Sequence, residues 1–155
     1  MTAKVSKKNS FSTLSYQVLW LGSGIRLPRT IPLGPLFCRF VYGSQIIHIS
    51  KEDVLSFFGQ SRTVVFDIIS NEADKRTDRA VNMLRNLSSF QQSMHKFTSA
   101  IILFQTSHAA PIDLSELEAI MTFLVNNLVD KADIKYGLGM RDYLDNRIRL
   151  MVACN

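Results

Sequence analysis

The sequence lacks the features that mark disulfide-stabilised and membrane-spanning proteins. Its two cysteines, Cys38 and Cys154, lie far apart and form neither a C-x-x-C motif nor a disulfide framework, so we expect reduced thiols in a cytosolic compartment. No run reaches the roughly 18–20 apolar residues that cross a bilayer, because the best candidate is interrupted by Pro32, Pro35 and Arg39. These absences predict a cytoplasmic protein without an integral membrane segment.

Signatures of phosphate binding, metal binding and nucleophilic catalysis are also missing. Neither G-x-x-x-x-G-K-[ST] nor G-x-G-x-x-G occurs, which argues against a self-contained phosphate-binding loop of either kind. The histidines His48, His95 and His108 lack metal-ligand spacing, and the G-S-G at 22–24 lacks the flanks of a nucleophile elbow. We therefore expect no metal site, no cofactor bound by this chain alone and no stand-alone enzyme.

Acidic residues are absent from the first third of the chain. Residues 1–51 hold seven basic groups and no acid, whereas residues 52–155 hold 11 basic and 13 acidic groups, a net of −2. A basic arm of this kind can contact an acidic protein surface, anionic lipid or nucleic acid, or it can be a solvated end that keeps the protein soluble. Composition leaves these possibilities open.

Hydrophobic periodicity becomes clear from residue 50. "SKEDVLSFFG" predicts a short helix with Ser50 as its N-cap. "RTVVFDIIS" (62–70) is apolar on both parities and predicts a central strand, and "SAIILFQT" (99–106) predicts a second buried strand. Between them, apolar residues at helical spacing predict an amphipathic helix whose core face carries Ala80, Met83, Leu84 and Leu87.

The last third of the chain predicts one more helix and two strands. Asp113 and Glu116 approximate a capping box, and the helix they start has one apolar stripe: Leu117, Ile120, Met121, Leu124 and Leu128. Segments 133–139 and 146–154 then alternate around a polar turn and predict a β-hairpin.

On the second strand of that hairpin, alternation separates a core face from a face that also carries charge. Ile148, Leu150, Val152 and Cys154 share the apolar face. Arg147 and Arg149 fall on the other face with Met151, where we expect them to be solvated.

Together these elements predict an α/β (α+β) protein. The domain is expected at residues 48–155, as a two-layer sandwich with a four-stranded mixed sheet, helices on one face and a terminal β-hairpin. Residues 1–47 are expected to form a basic, irregular N-terminal arm.

From residue 46 to the end, the sequence resembles the C-terminal domain of the FtsZ family, the bacterial tubulin homologues of cell division. "ADIKYG", "RDYLDN" and "RIRLMVAC" resemble that family's Ile-Phe/Tyr-Gly strand end, Asp-x-x-Leu-type turn and Val/Ile-Arg-Val-Thr-Val-type strand. "DRAVNMLRNLSS" is similar to its Asn-Arg-Ala helix, and "AIILFQTSHAAPIDLSELEAI" to its apolar strand, short loop and Asp-Leu-capped helix. "IIHISKEDVLSFF" is similar to the catalytic synergy loop, Ile-Asn-x-Asp-Phe-x-Asp-Val, running into a helix.

The resemblance implies a set of site residues. In the family, the synergy loop of one subunit meets the GTP-binding domain of the next, and its acids position the water that attacks the γ-phosphate. By position, Asp53 corresponds to the last catalytic aspartate and would act in trans, Ser50 replaces the preceding acid, and His48 replaces the loop asparagine. The implied interface is His48, Ser50, Lys51, Glu52 and Asp53.

The resemblance also implies what the chain would do. Residues 1–45 contain no counterpart of the family's Gly-Gly-Gly-Thr-Gly-type signature, so GTP is expected only through a partner subunit. The expected function is a protein-interaction module in cell division or filament assembly that docks on an FtsZ-like subunit and caps or modulates polymerisation.

Two alternatives remain beside that function. One is the C-terminal half of a split or decayed FtsZ-like GTPase that works with a separately encoded GTP-binding domain. The other is a basic-armed domain whose binding to nucleic acid or membrane would depend strongly on salt.

Overall fold

In the part of the chain that the structure describes, one mixed β-sheet has helices packed on both of its faces. A computed structural model describes residues 15–21, 29–32, 45–58, 63–71, 75–88 and 94–155. The sheet has seven strands: β1 (Ser15–Leu21), β2 (Arg29–Pro32), β3 (Gln45–Ile47), β4 (Val64–Ile69), β5 (Ser99–Thr106), β6 (Asp133–Met140) and β7 (Arg149–Cys154). Within the described residues there are three α-helices: α1 (Lys51–Phe58), α2 (Arg79–Ser88) and α3 (Leu114–Asn127).

The strand order explains why the predicted terminal hairpin is wrong. The order is β2-β1-β4-β7-β5-β6-β3. β6 lies parallel to β5, whereas β7 runs antiparallel to both β4 and β5 and therefore separates them. β7 is buried on both faces, and a strand with two apolar faces is most stable in the middle of a sheet. Segments 133–139 and 146–154 thus both pair with β5 and do not pair with each other.

One face of the sheet carries the larger core. Of the apolar residues of α2 and α3 expected there, Met83, Leu87, Ile120 and Leu124 are fully buried, and Leu84, Leu117 and Met121 are partly buried against the same core. They cover the alternate side chains of the central strands: Phe66, Ile68, Ala100, Ile102, Phe104, Ile148, Leu150, Val152 and Cys154. The predicted core faces of both helices and of the last strand are confirmed.

The opposite face is covered by α1, so the prediction of helices on one face only is wrong. Val54, Phe57 and Phe58 of α1 pack on the other parity of the same central strands. That parity is apolar as well and contributes Val65, Ile101, Leu103, Met151 and Ala153. Strands that are apolar on both faces require cover on both, and α1 supplies it.

The predicted number of strands is also wrong. Residues 45–155 contribute five strands rather than four, because β3 pairs antiparallel with β6 at the edge of the sheet. Two further strands, β1 and β2, lie within residues 1–47, where regular structure was not expected, and β1 pairs parallel with β4. The rest of that segment, with most of the predicted basic arm, lies outside the described residues, and the domain boundary at 47/48 stays a prediction.

Arg79, at the start of α2, forms hydrogen bonds with three other parts of the chain. Its side chain has no exposed surface, and its Nε and Nη2 donate to Glu116 Oε2 at 2.7 Å and Oε1 at 2.8 Å. Nη1 donates to the carbonyls of Ala110 (2.8 Å) and Asn146 (3.1 Å), and Nη2 also donates to that of Pro111 (2.9 Å). Every guanidinium donor therefore has an acceptor.

Glu116 extends this arrangement to the N-terminus of α3. Its backbone N–H donates to Asp113 Oδ1 at 2.8 Å, and its Oε1 accepts from the backbone N–H of Asp113 at 3.1 Å, which confirms the predicted capping box. The same carboxylate thus binds Arg79 and caps a helix.

None of the helices in the part of the chain that the structure describes is both long and apolar enough to cross a membrane.

Replacing Arg79 tests how much of the fold depends on this ion pair. Arg79→Ala removes the counter-charge of a buried carboxylate and the guanidinium donors of three carbonyls, which predicts a loss of about 3–5 kcal/mol in the free energy of unfolding. The exposed arginine of the same helix provides the matched control, since Arg85→Ala is expected to change stability by less than about 0.5 kcal/mol. Urea unfolding followed by circular dichroism measures both, and equal stabilities of the two variants would contradict the prediction.

Candidate functional site

The segment implied as an interface, residues 48–53, forms the entry to α1, and we call it the entry segment. It leaves the sheet edge through Ile49, which packs against the backbone of Gly137 in β6. A Cβ at Gly137 would lie 3.0 Å from Ile49 Cγ1 and 3.1 Å from the carbonyl oxygen of Ile47. A Cβ at this position would force its neighbours to shift by a few tenths of an ångström, so the glycine favours the close approach of the entry segment to the sheet.

Ser50 fixes the start of α1, as the sequence predicted. The backbone N–H of Asp53 donates to Ser50 Oγ at 3.0 Å, and the N–H of Val54 donates to the carbonyl of Ser50 at 3.1 Å. This is the geometry of an N-cap, in which a side-chain oxygen satisfies a first-turn amide. Ser50 thus holds the backbone of the entry segment in one conformation.

The entry segment presents mainly polar side chains to solvent. His48, Ser50, Lys51 and Glu52 are exposed, and Asp53 is half-buried. Next to them, Ile46 leaves 61% of its surface exposed. The five residues implied by the resemblance therefore lie within one six-residue segment and reach its surface. An exposed apolar side chain lies next to them.

Asp53 has a neighbour that sequence reasoning missed. Lys135 of β6 places its Nζ 3.8 Å from Asp53 Oδ1 and 3.9 Å from Asp133 Oδ1. These side chains line an open pocket of about 240 Å³ whose floor includes Ser99 and Ile101. Lys135 pairs with Ile101 across the sheet and so lies on the face covered by α1.

The pairing of Asp53 with Lys135 was missed because α1 had been expected on the other face of the sheet. Alternation along "ADIKYG" assigns Lys135 to the face opposite Ile134. β5 is apolar at both odd and even positions, which indicates that each face of the sheet is covered. Together with this alternation, that pattern could have predicted that Lys135 and α1 lie on the same face.

A second polar cluster lies on the same face of the sheet, beyond α1. Arg149 Nε and Nη2 donate to Asp67 Oδ1 at 2.9 Å and Oδ2 at 2.6 Å, and its Nη1 donates to Tyr143 Oη at 2.8 Å. Burial lowers the pKa of the guanidinium, but the hydrogen bonds to Asp67 and the charge of its carboxylate raise that pKa overall. The expectation that Arg149 is solvated is wrong, because its side chain is only 13% exposed. The pair joins β4 to β7 and is structural.

A third polar contact, between His108 and Asp142, is exposed near the C-terminal end of β5. Asp142 Oδ1 lies 2.8 Å from His108 Nδ1 and accepts from the backbone N–H of His108 at 3.1 Å. The ring hydrogen bond, followed by the backbone one, holds the pKa of Asp142 below the ordinary value of 3.8. No nucleophile accompanies this pair among the contacts of the described residues.

The described residues support neither a metal site nor a reactive thiol. Within them, no group of three or more His, Cys, Asp or Glu side chains is placed to hold a metal ion. Burial raises the pKa of the Cys154 thiol to about 12, which keeps it protonated and unreactive. The other cysteine, Cys38, lies outside the described residues.

No protein-family model matches this sequence, and no curated protein sequence matches it. Solved structures do match the fold. A variant of FtsZ from M. jannaschii aligns with a TM-score of 0.60 and 16% identity, over 79% of this chain and 37% of that one. An FtsZ dimer from the same organism, described as empty, aligns with a TM-score of 0.54 and 16% identity, over 72% of this chain and 32% of that one.

TubZ of Bacillus thuringiensis serovar israelensis, in a GTPγS-form protofilament, gives a TM-score of 0.54 and 15% identity. The alignment covers 73% of this chain and 29% of that one. At these identities the likeness shows the fold alone, which is similar to that of part of the FtsZ and TubZ chains. This chain spans about a third of the length of the solved structures that it matches.

The His108 contact predicts a pH-dependent stability difference. Because the pKa of Asp142 is lowered in the folded state, the contact stabilises the protein above the ordinary value of 3.8 and this stabilisation is lost as pH falls through the folded pKa. His108→Ala should therefore be less stable than the native chain at about pH 6 and converge with it near pH 2. Urea unfolding across this range measures the difference. His95→Ala, which removes another exposed histidine, is the control, and a difference that persisted at low pH would contradict the prediction.

Proposed function

We propose that this chain is equivalent to the C-terminal domain of an FtsZ-like protein and acts as an interaction module that docks on an FtsZ-like subunit. The observation that carries this proposal is the entry segment, an exposed and conformationally fixed loop on an FtsZ-like fold. The N-cap at Ser50 and the close approach of Ile49 to Gly137 fix its backbone. A preorganised surface loses less conformational entropy on binding.

Docking through the entry segment would modulate or cap assembly. The resemblance assigns to Asp53 the role of an acid that acts in trans on a neighbour's nucleotide. The serine at position 50 uses its hydroxyl to cap α1 and offers no second carboxylate. We therefore expect docking with weak activation of GTP hydrolysis, in the setting of cell division or filament assembly.

Addition of the chain to a polymerising GTPase tests the docking function. With M. jannaschii FtsZ and B. thuringiensis TubZ as probes, a stoichiometric amount should lower light scattering at steady state, because each docked chain occupies one subunit interface. The triple variant His48→Ala/Lys51→Ala/Glu52→Ala removes exposed contact groups and leaves the N-cap in place, so it should lose much of the effect. Unchanged light scattering and no co-sedimentation with either probe would contradict the proposal.

Position 50 allows the missing acid to be restored without losing the helix cap. Asp and Asn both cap helices about as well as Ser, so Ser50→Asp differs from the matched control Ser50→Asn mainly in charge. We expect Ser50→Asp to raise GTP hydrolysis by the docked partner by about tenfold over Ser50→Asn, which is less than the roughly 100- to 10,000-fold typical of a well-positioned acid–base group. Equal rates with the two variants would exclude a catalytic contribution from this position.

A second candidate function follows from the same likeness to FtsZ and TubZ. The part of those structures that aligns with this chain covers about a third of their length, and a separate GTP-binding domain would complete a split GTPase with this chain as its C-terminal part. In either case we expect no GTP binding by this chain alone. Equilibrium dialysis with labelled GTP, with and without a co-expressed nucleotide-domain protein, separates the two functions, since only the split enzyme regains GTP turnover in a stoichiometric complex.

A further inference from the structure

We propose that Lys135 restrains Asp53 and so determines that the docked chain activates hydrolysis poorly. This inference rests on the proposed docking function and adds a specificity-determining residue to it. Lys135 lies outside the entry segment, on β6, and reaches the entry segment only because α1 covers this face of the sheet.

The geometry keeps the ammonium group close to Asp53. Its Nζ lies 3.8 Å from Asp53 Oδ1 and 3.9 Å from Asp133 Oδ1, so one cation is held between two carboxylates. The side chains of Asp53 and Lys135 are each 42% exposed, whereas that of Asp133 is 74% exposed. Asp133 attracts the ammonium group from the strand side, and Asp53 attracts it from the helix side.

An ion pair at this position gains strength when a partner covers it. In the free chain both groups are hydrated, and exposed pairs of this kind interact weakly. Exclusion of water at an interface lowers the effective dielectric constant from about 80 to about 20, which strengthens the attraction of two unit charges about fourfold. Docking would therefore tighten the contact between Lys135 and Asp53.

A tighter ion pair weakens Asp53 as a group that orients water. A carboxylate positions an attacking water by accepting its hydrogen bond and stabilising the charge that develops on it. An ammonium group beside the same oxygen competes for that lone pair and offsets the negative charge. The chain would then occupy the partner's surface while Asp53, the acid to which the resemblance assigns a catalytic position, is neutralised.

Substitutions at Lys135 separate this restraint from docking itself. Lys135→Met keeps the aliphatic stem and removes the charge, and Lys135→Arg keeps the charge. Each variant is mixed with M. jannaschii FtsZ and GTP, the docked fraction is measured by sedimentation, and phosphate release is expressed per docked chain. Lys75→Met, at an exposed lysine before α2, is the matched control.

We expect Lys135→Met to raise phosphate release per docked chain by about tenfold, which is less than the roughly 100- to 10,000-fold typical of acid–base groups. Lys135→Arg and Lys75→Met should match the native chain, and the double variant Lys135→Met/Asp53→Asn should lose the gain. Unchanged or lower release with Lys135→Met, in a chain that docks, would overturn the inference and leave the docking function intact. Failure of the native chain to dock would overturn the docking function and the inference together.

Discussion

The buried guanidinium of Arg79 is the constraint on which the arrangement of the larger core depends. Its five donors bind the Glu116 carboxylate and the carbonyls of Ala110, Pro111 and Asn146. These acceptors belong to the start of α3, the loop that leads to it and the segment that enters β7. An unpaired charge at this depth would be strongly destabilising. The ion pair therefore fixes how α2 and α3 meet and where the chain re-enters the sheet between β4 and β5.

That re-entry explains the position of the candidate site. With β7 in the centre, both faces of the sheet are apolar and need cover, and α1 covers the face that α2 and α3 leave open. The edge strand β3 and Gly137 bring the chain across the sheet into α1. The entry segment is thus exposed at one edge and held there by packing beneath it. Because the sheet has a core on each face, the exposed position of the entry segment follows from the fold.

Sequence patterns predicted the contacts between residues that are close in sequence. They missed the contacts that depend on which strands and helices lie side by side. The cap at Ser50, the capping box at Asp113 and the core faces of α2 and α3 follow from spacing, because their contacts lie within a few residues. Strand order does not follow from spacing, since alternation along β7 is the same whether β5 or β6 lies beside it. Spacing along α2 does not identify Arg79 as buried, because its burial depends on acceptors in distant loops. The Lys135 contact was missed for a related reason, because it depends on which face α1 covers.

Amide hydrogen exchange of the chain bound to filaments tests the central claim most directly. The first-turn amides of Lys51 and Glu52 have no partners within the helix, so they exchange readily unless a bound partner covers them. Bound to M. jannaschii FtsZ filaments assembled with GTPγS, the chain should gain protection in residues 46–53, with little change on the solvent side of α2 and α3. Protection confined to α2 and α3, with residues 46–53 exchanging as in the free chain, would contradict the account.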